Sequence, residues 1–381
     1  MNNSTAFIET LQEDKQTISQ SLPSNRVTFV DTLKLLAILG VITIHISATP
    51  LVTLKIASFN WSIALFFGSI IRWAVPIFLM CSGVLFLKAD KVITIKQIFT
   101  KYLLRITCAL FVWAAFYEAI DILTAYKNIG YIDYSVILKS VKNICTFNTQ
   151  THLYYLYIVI LIYSLLPILR VFTDRAEKQQ LEYLLIVWVI LGIILPFAIQ
   201  FRPFSLIKGM VRQYSIDMVY SAIGYFVLGH YLHKYTLKKR TNYIIYFLGI
   251  IGLLVTIGGT AFSSTSKGAV STTYLEGMTP NVAAMATALF LFIKNYNCRG
   301  QQEAKASSGK KRKIISYISK ASFCIYLVHI AFIDLLRSLN LTFPEANTLF
   351  TIPILVIVVF MLSIGVYFIL SKIPIVNKYL I

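Results

Sequence analysis

The chain has 381 residues, 57% of them hydrophobic and 13% charged, with a mean hydropathy of +0.72; a soluble domain carries about a quarter charged residues. That composition excludes an ordinary soluble globular protein and points to one membrane domain. The net charge of +19 would suit a nucleic-acid binder, but Lys and Arg are scattered through short loops with no aromatic-interleaved basic patch, and basic cytoplasmic loops reach the same total.

Residues 1–28 are polar, include Glu9, Glu13 and Asp14, and lack the apolar core of a cleavable signal peptide. They are expected to form a cytoplasmic segment ahead of a transmembrane domain at 29–381. Ten apolar segments follow, at roughly 29–50, 61–87, 98–121, 153–170, 183–200, 217–233, 242–262, 280–294, 315–337 and 349–371. Each approaches the ~20 residues a spanning helix needs, and in lipid a lone segment must satisfy its own backbone. The expectation is an all-α integral membrane protein, a bundle of about ten transmembrane helices. The loops after the second, fourth, sixth and eighth segments are the basic ones, holding for example Lys88, Arg170, Lys238 and Arg312. By the positive-inside rule those loops and both termini face the cytoplasm. The long outer connection at 122–152 has room for a short helix, and the polar stretch 301–313 reads as a mobile cytoplasmic loop.

The five cysteines contain no C-x-x-C pair, so neither a disulfide framework nor a structural zinc site is expected. His230 and His233 share a helix face at i, i+3, but no third ligand stands near them in sequence and no metal is predicted. No phosphate-binding glycine loop and no G-x-S-x-G elbow occurs, which removes a P-loop ATPase and an ordinary serine hydrolase.

Ionisable residues in lipid are costly and therefore functional candidates. In the first segment Asp31, Lys34 and His45 fall on one helical stripe, with Lys34 and His45 within about 20° of each other and about 16 Å apart along the axis. An i, i+3 ion pair of Asp31 and Lys34, and a packing hydrogen bond for His45, are the structural alternatives. Arg72 precedes Pro76 in the second segment and needs an anionic partner, for which Asp31, Glu118 and Asp217 are the candidates. Lys101 and Arg105 open the third segment at the cytoplasmic face, where a cation pair suits phosphate but also obeys the positive-inside rule. His152 begins the fourth segment among aromatics typical of an interfacial belt. Ser322, Tyr326 and His329 share one face of the ninth, a polar stripe that lines a cavity or joins helices.

Phe29-Val30-Asp31-Thr32-Leu33-Lys34, followed by His45, resembles the opening of the acyltransferase-3 family of membrane O-acyltransferases, where an Asp is followed three residues on by Arg and eleven later by His. Further similarities come in the same order: Arg72 through Pro76 to Ser82-Gly83, Lys101 with Arg105, His152-Leu153-Tyr154-Tyr155-Leu156, and Ser319 to His329 with Tyr326. Asp217 with Gly224 and Gly229 matches more loosely. Two departures stand out. Lys34 replaces the usual Arg and cannot make its bidentate fork, and Tyr102 occupies the first slot of the family's Arg-x-x-Arg, leaving Arg105 as the clean match.

The resemblance implies transfer of an acyl group, commonly acetyl from acetyl-CoA, to a hydroxyl of a cell-envelope glycan or its lipid-linked precursor, in a bacterial inner or cytoplasmic (plasma) membrane. It casts His45 as general base, with Asp31 and Arg72 as further catalytic candidates. Arg72 or Tyr326 would stabilise oxyanion charge. Lys34, Lys101 and Arg105 would hold the donor, and His152, Tyr326, His329 and Asp217 the acceptor side. The alternative is a secondary transporter of a small polar or anionic solute, which also lines a cavity with charge. The oligomeric state is not readable.

Overall fold

The computed structural model describes residues 28–88, 93–131, 133–213, 218–303, 309–342 and 347–381. Residues 1–27 of the N-terminal segment and Asp217 lie outside the described residues. The described chain is helical throughout, without strands. The principal helices are α1 (Thr28–Thr53), α2 (Phe59–Ile70), α3 (Ala74–Phe86), α4 (Leu104–Ile129), α5 (Tyr134–Cys145), α6 (Tyr154–Arg175), α7 (Lys178–Trp188), α8 (Met218–Lys234), α9 (Lys239–Lys267), α10 (Pro280–Glu303), α11 (Gly309–Ser338), α12 (Thr348–Leu370) and α13 (Pro374–Tyr379).

Among the described residues, eight helical stretches are long and apolar enough to cross a membrane: Thr28–Thr53, Phe59–Phe86, Ile95–Lys127, Thr151–Arg175, Lys178–Ala198, Lys239–Lys267, Arg312–Ser338 and Thr348–Leu370. The chain is therefore an all-α, multi-pass membrane protein. The sixth and eighth apolar segments fall on α8 and α10, which do not meet that measure. The described part of α8 is 17 residues long, and the apolar first half of α10 runs into a polar second half beginning at Lys294. Both nevertheless pack in the bundle, α8 on α3 and α10 on α9. The expected loop at 301–313 is partly helical, since α10 continues through Glu303 and α11 starts at Gly309.

α1 is central, packing against α2, α3, α11 and α12. Its core face is apolar, with Leu33, Ala37, Ile38 and Ile42 fully buried. Outer helices turn large apolar side chains outward, Phe247, Ile250 and Leu254 on α9 and Ile354, Ile357 and Met361 on α12. That is the pattern of a lipid-facing surface and not of a soluble one. The crossing of α3 and α8 depends on two glycines. A Cβ on Gly83 would sit 1.8 Å from the Phe226 carbonyl oxygen, and one on Gly229 would sit 2.1 Å from that of Met80. Small residues at these two points let the backbones meet.

Three departures from straight helix matter for the site. α2 and α3 form one span interrupted by turn residues Ile71, Arg72 and Trp73. Pro76 has no N–H to return to the carbonyl of Arg72, so the ladder breaks there. α4 is entered through a π-helical turn, Ile98–Leu103, beside Lys101 and Arg105; such turns are frequent at functional positions. The long connection after α4 holds α5, a helix capped by Asp133, whose side chain accepts from the Ser135 amide at 3.0 Å.

Candidate active site

The candidates divide between two ends of the bundle, and α11 measures the distance between them. Ser319 and His329 are ten residues apart on α11, or about 15 Å along its axis.

At the first end, the Ser319 hydroxyl donates to Asp31 Oδ1 at 2.6 Å, tying α11 to α1. Cys81, fully buried on α3, lies within electrostatic reach of both Asp31 and Lys34. Arg105 stands over the Phe323 ring at 5.6 Å and donates through one terminal nitrogen to the Ile381 carbonyl. Its Nε is buried without a partner. The adjoining backbone is held as well, because Trp113 Nε1 donates to the Leu380 carbonyl at 3.1 Å. Ile381 is 2% exposed, so the segment after α13 is packed against α4. Lys101 is exposed, with its ammonium 5.8 Å from the Tyr102 ring.

At the other end, three imidazoles from three helical stretches meet. The ring centroids are 5.1 Å apart for His45 and His329, 5.6 Å for His152 and His329, and 6.5 Å for His45 and His152. His329 is completely buried and His152 is 3% exposed, whereas His45 retains intermediate exposure. The Nε2 atoms of His152 and His329 are buried with no hydrogen-bond partner. Buried polar atoms are nearly always paired, so two such nitrogens in one cluster mark a place built for a partner outside the chain or for ring movement. Among the described residues, no group of three His, Cys, Asp or Glu side chains is arranged to hold a metal ion.

Aromatic residues close the back of the cluster. Tyr117 meets His152 edge-on at 4.9 Å and donates its hydroxyl to the Leu327 carbonyl at 2.6 Å. The Tyr326 hydroxyl donates to the His152 carbonyl, and its ring packs on Tyr155 at 5.5 Å. The proton of Tyr326 is thus committed to fixing the entry of α6.

Arg72 stands at the front, at the break between α2 and α3. Its Nε donates to the Gly68 carbonyl at 2.9 Å, which aims the guanidinium back along α2. His45 lies within its electrostatic reach. The expected anionic partners need correcting. Asp31 is bonded to Ser319 at the far end, Glu118 accepts from Asn143 Nδ2 at 3.1 Å, and Asp217 lies outside the described residues. Of the described carboxylates, Glu276 lies within electrostatic reach of Arg72, as does the Tyr154 hydroxyl. Glu276 comes from the connection between α9 and α10. That connection is pinned by Tyr225, which donates to the Gly277 carbonyl at 3.0 Å, and by Asn281, which donates to the Tyr274 carbonyl at 2.7 Å.

The structure therefore gathers His45, Arg72, His152, Tyr326 and His329. It places Asp31, Lys34, Lys101 and Arg105 at the other end, so Asp31 does not meet His45; about 21 Å of α1 separates them. Sequence reasoning missed Glu276, Tyr117 and the packed C-terminal segment. A lone acid or tyrosine in a single sequence carries no signal of what it faces across the fold.

Arranged this way, the cluster offers a half-buried imidazole base within the field of a cation, backed by aromatic rings. No curated protein and no solved structure shows a significant match to the chain. The family model described as an acyltransferase domain matches residues 27–371, the whole span from the start of α1 to the end of α12, and on that match the protein is an acyltransferase and belongs to the acyltransferase-3 family.

Proposed function

We propose that the protein is a plasma-membrane O-acyltransferase that moves an acetyl group from cytoplasmic acetyl-CoA to a hydroxyl of a cell-envelope glycan or its lipid-linked precursor. The observation that carries the reading is the three-imidazole cluster beside Arg72, set about 15 Å along α11 from a cationic end. Basic loops assign the Lys34 and Arg105 end to the cytoplasm, with both termini on that side. A CoA nucleotide held there by Arg105, Lys101 and Lys34 would keep its phosphates near cations. The buried, unpartnered Nε of Arg105 supports a ligand at that place. The extended pantetheine arm then carries the thioester up the bundle.

In the transfer, His45 takes the proton of the acceptor hydroxyl as its oxygen attacks the thioester carbonyl. The oxyanion forms beside Arg72, whose fixed charge stabilises it in a site of low dielectric. The Tyr326 proton is occupied by the His152 carbonyl, so Arg72 and not Tyr326 fills that role. Collapse breaks the carbon–sulfur bond, and the departing CoA thiolate takes the proton from the His45 imidazolium. The products are an ester and free CoA.

The test is label transfer from radiolabelled acetyl-CoA in membranes that contain the acceptor, comparing wild type with His45→Ala. Base catalysis contributes ~10²–10⁴-fold; the variant is expected to lose that much in rate while expression and acetyl-CoA binding persist. The acidic limb of the pH–rate profile, which reports protonation of the imidazole, should vanish with it. Near-normal turnover with an unchanged acidic limb would remove His45 from the chemistry.

A further inference from the structure

His329 has a defined tautomer. Its Nδ1 lies 2.6 Å from the carbonyl oxygen of Tyr326, one turn back on the same helix. A carbonyl only accepts, so in the neutral ring Nδ1 carries the proton and Nε2 holds a bare lone pair. That Nε2 is buried with no partner, on a residue that is 0% exposed. Ring movement within the cluster would bring it a donor. The nearest imidazole is His45, at 5.1 Å between centroids and a 53° tilt; His152 stands farther off and nearly perpendicular, at 5.6 Å and 81°. At the His45 separation a modest ring rotation brings a nitrogen of each ring within hydrogen-bond reach, and catalytic hydrogen bonds commonly tighten only when substrate is bound.

A general-base imidazole is ordinarily oriented by a third group that accepts its distal N–H. Here two of the carboxylates that sequence or structure brings into question are bonded elsewhere, Asp31 to Ser319 and Glu118 to Asn143, and Glu276 lies in the field of Arg72. We propose that His329 is the positioning residue for His45. Its Nε2 accepts the N–H of His45 and so holds His45 in the one tautomer whose other nitrogen is bare and faces the acceptor hydroxyl. His329 touches neither substrate; it acts through His45. The orienting group is then a neutral imidazole, its own tautomer set by the α11 backbone, in place of a carboxylate. This rests on the reading of His45 as the base.

Two substitutions separate positioning from packing. In His329→Asn the amide keeps the hydrogen bond to the Tyr326 carbonyl but offers nothing at the Nε2 position. In His329→Gln the carbonyl oxygen reaches that position and restores the acceptor. Purified variants are assayed by label transfer from acetyl-CoA, with ring-nitrogen NMR on the His45 imidazole. The expected result is a kcat loss of at least ~10-fold in the Asn variant, a part of the ~10²–10⁴-fold that base catalysis supplies, an unchanged KM for acetyl-CoA, a His45 ring that populates both tautomers, and recovery of most of the rate and of the single tautomer in the Gln variant. A wild-type rate and a single His45 tautomer in His329→Asn overturn the proposal, as does a Gln variant no better than Asn. If His45→Ala is inactive while His329→Asn is normal, the proposal fails and the base assignment stands. An active His45→Ala variant overturns both.

Discussion

The two ends of the bundle hold their cations and imidazoles differently, although each keeps some buried nitrogens unpartnered, both of those of His230 among them at the Arg105 end. At the Arg105 end, cations are bonded to the protein's own backbone: Arg105 to the Ile381 carbonyl, Arg170 to that of Phe86, and Lys294 to that of Leu232 at the end of α8. At the His45 end, polar atoms are left open, with two imidazole Nε2 atoms buried and unsatisfied. The first arrangement fixes structure and leaves only selected atoms, such as Arg105 Nε, for a ligand. The second tolerates a cost for the sake of reactivity, since unmet hydrogen bonds and strained positions gather where chemistry occurs. A charge or imidazole within the membrane is thus a weak functional signal by itself; unpartnered atoms strengthen it where several such groups converge, as they do around His45.

Arg72 tests this contrast most severely, because it has both features, a backbone bond to Gly68 and a place beside His45. If it stabilises the oxyanion, Arg72→Gln should lower kcat by ~10²–10³, the loss that follows removal of one such donor. Arg72→Lys should recover part of the rate. Glu276→Gln, which removes the carboxylate within electrostatic reach of Arg72 from an exposed position, should cost much less. The check is kcat and KM for all three, alongside thermal stability in detergent. Equal damage from Arg72→Gln and Glu276→Gln, with matching losses of stability, would make the pair structural and return Arg72 to the first class.

The sequence was informative where the physics is local. Apolar length located the helices, α-helical periodicity placed Asp31, Lys34 and His45 on one stripe of α1, and Pro76 marked the break that presents Arg72. It was uninformative where residues meet across the fold. His45, His152 and His329 converge because α1, the start of α6 and α11 pack together, and no periodicity within any one of them records the other two. For the same reason Arg72 was matched with acids predicted to lie in helices, whereas the described carboxylate within its electrostatic reach, Glu276, comes from a connection. The shared face of Tyr326 and His329 was legible, but not that Tyr326 spends its hydroxyl on a backbone carbonyl.

A smaller effect probes whether the scaffold between the two ends is rigid. Gly83→Ala pushes a methyl against the Phe226 backbone, which cannot swing aside as a side chain would. Overpacking of this kind costs about 1–3 kcal/mol. Gly258→Ala is the control, since a Cβ there meets nothing within 4 Å. Thermal unfolding of the detergent-solubilised protein should fall clearly for the first and stay level or rise slightly for the second. Equal stability of the two variants would mean that α3 and α8 can shift apart.

The smallest effect separates two cations at the Arg105 end. Lys101 is exposed, so its pull on a CoA phosphate is screened within about 8–10 Å at physiological salt and resembles that of a surface ion pair. Lys101→Gln should raise the KM for acetyl-CoA by no more than about threefold, and added salt should erase the difference. Arg105 is partly buried over Phe323, with one nitrogen on the Ile381 carbonyl and Nε free of any partner. A hydrogen bond from a charged donor is worth about 1.5–3 kcal/mol, so Arg105→Gln should raise that KM by ~10-fold or more, with kcat little changed and little response to salt. The measurement is KM for acetyl-CoA at low and high ionic strength for both variants. A large, salt-sensitive rise from Lys101→Gln and none from Arg105→Gln would put the nucleotide on the outer surface of this end. Arg105 would then be a clamp for the segment after α13, serving structure as Arg170 and Lys294 do through their bonds to the Phe86 and Leu232 carbonyls.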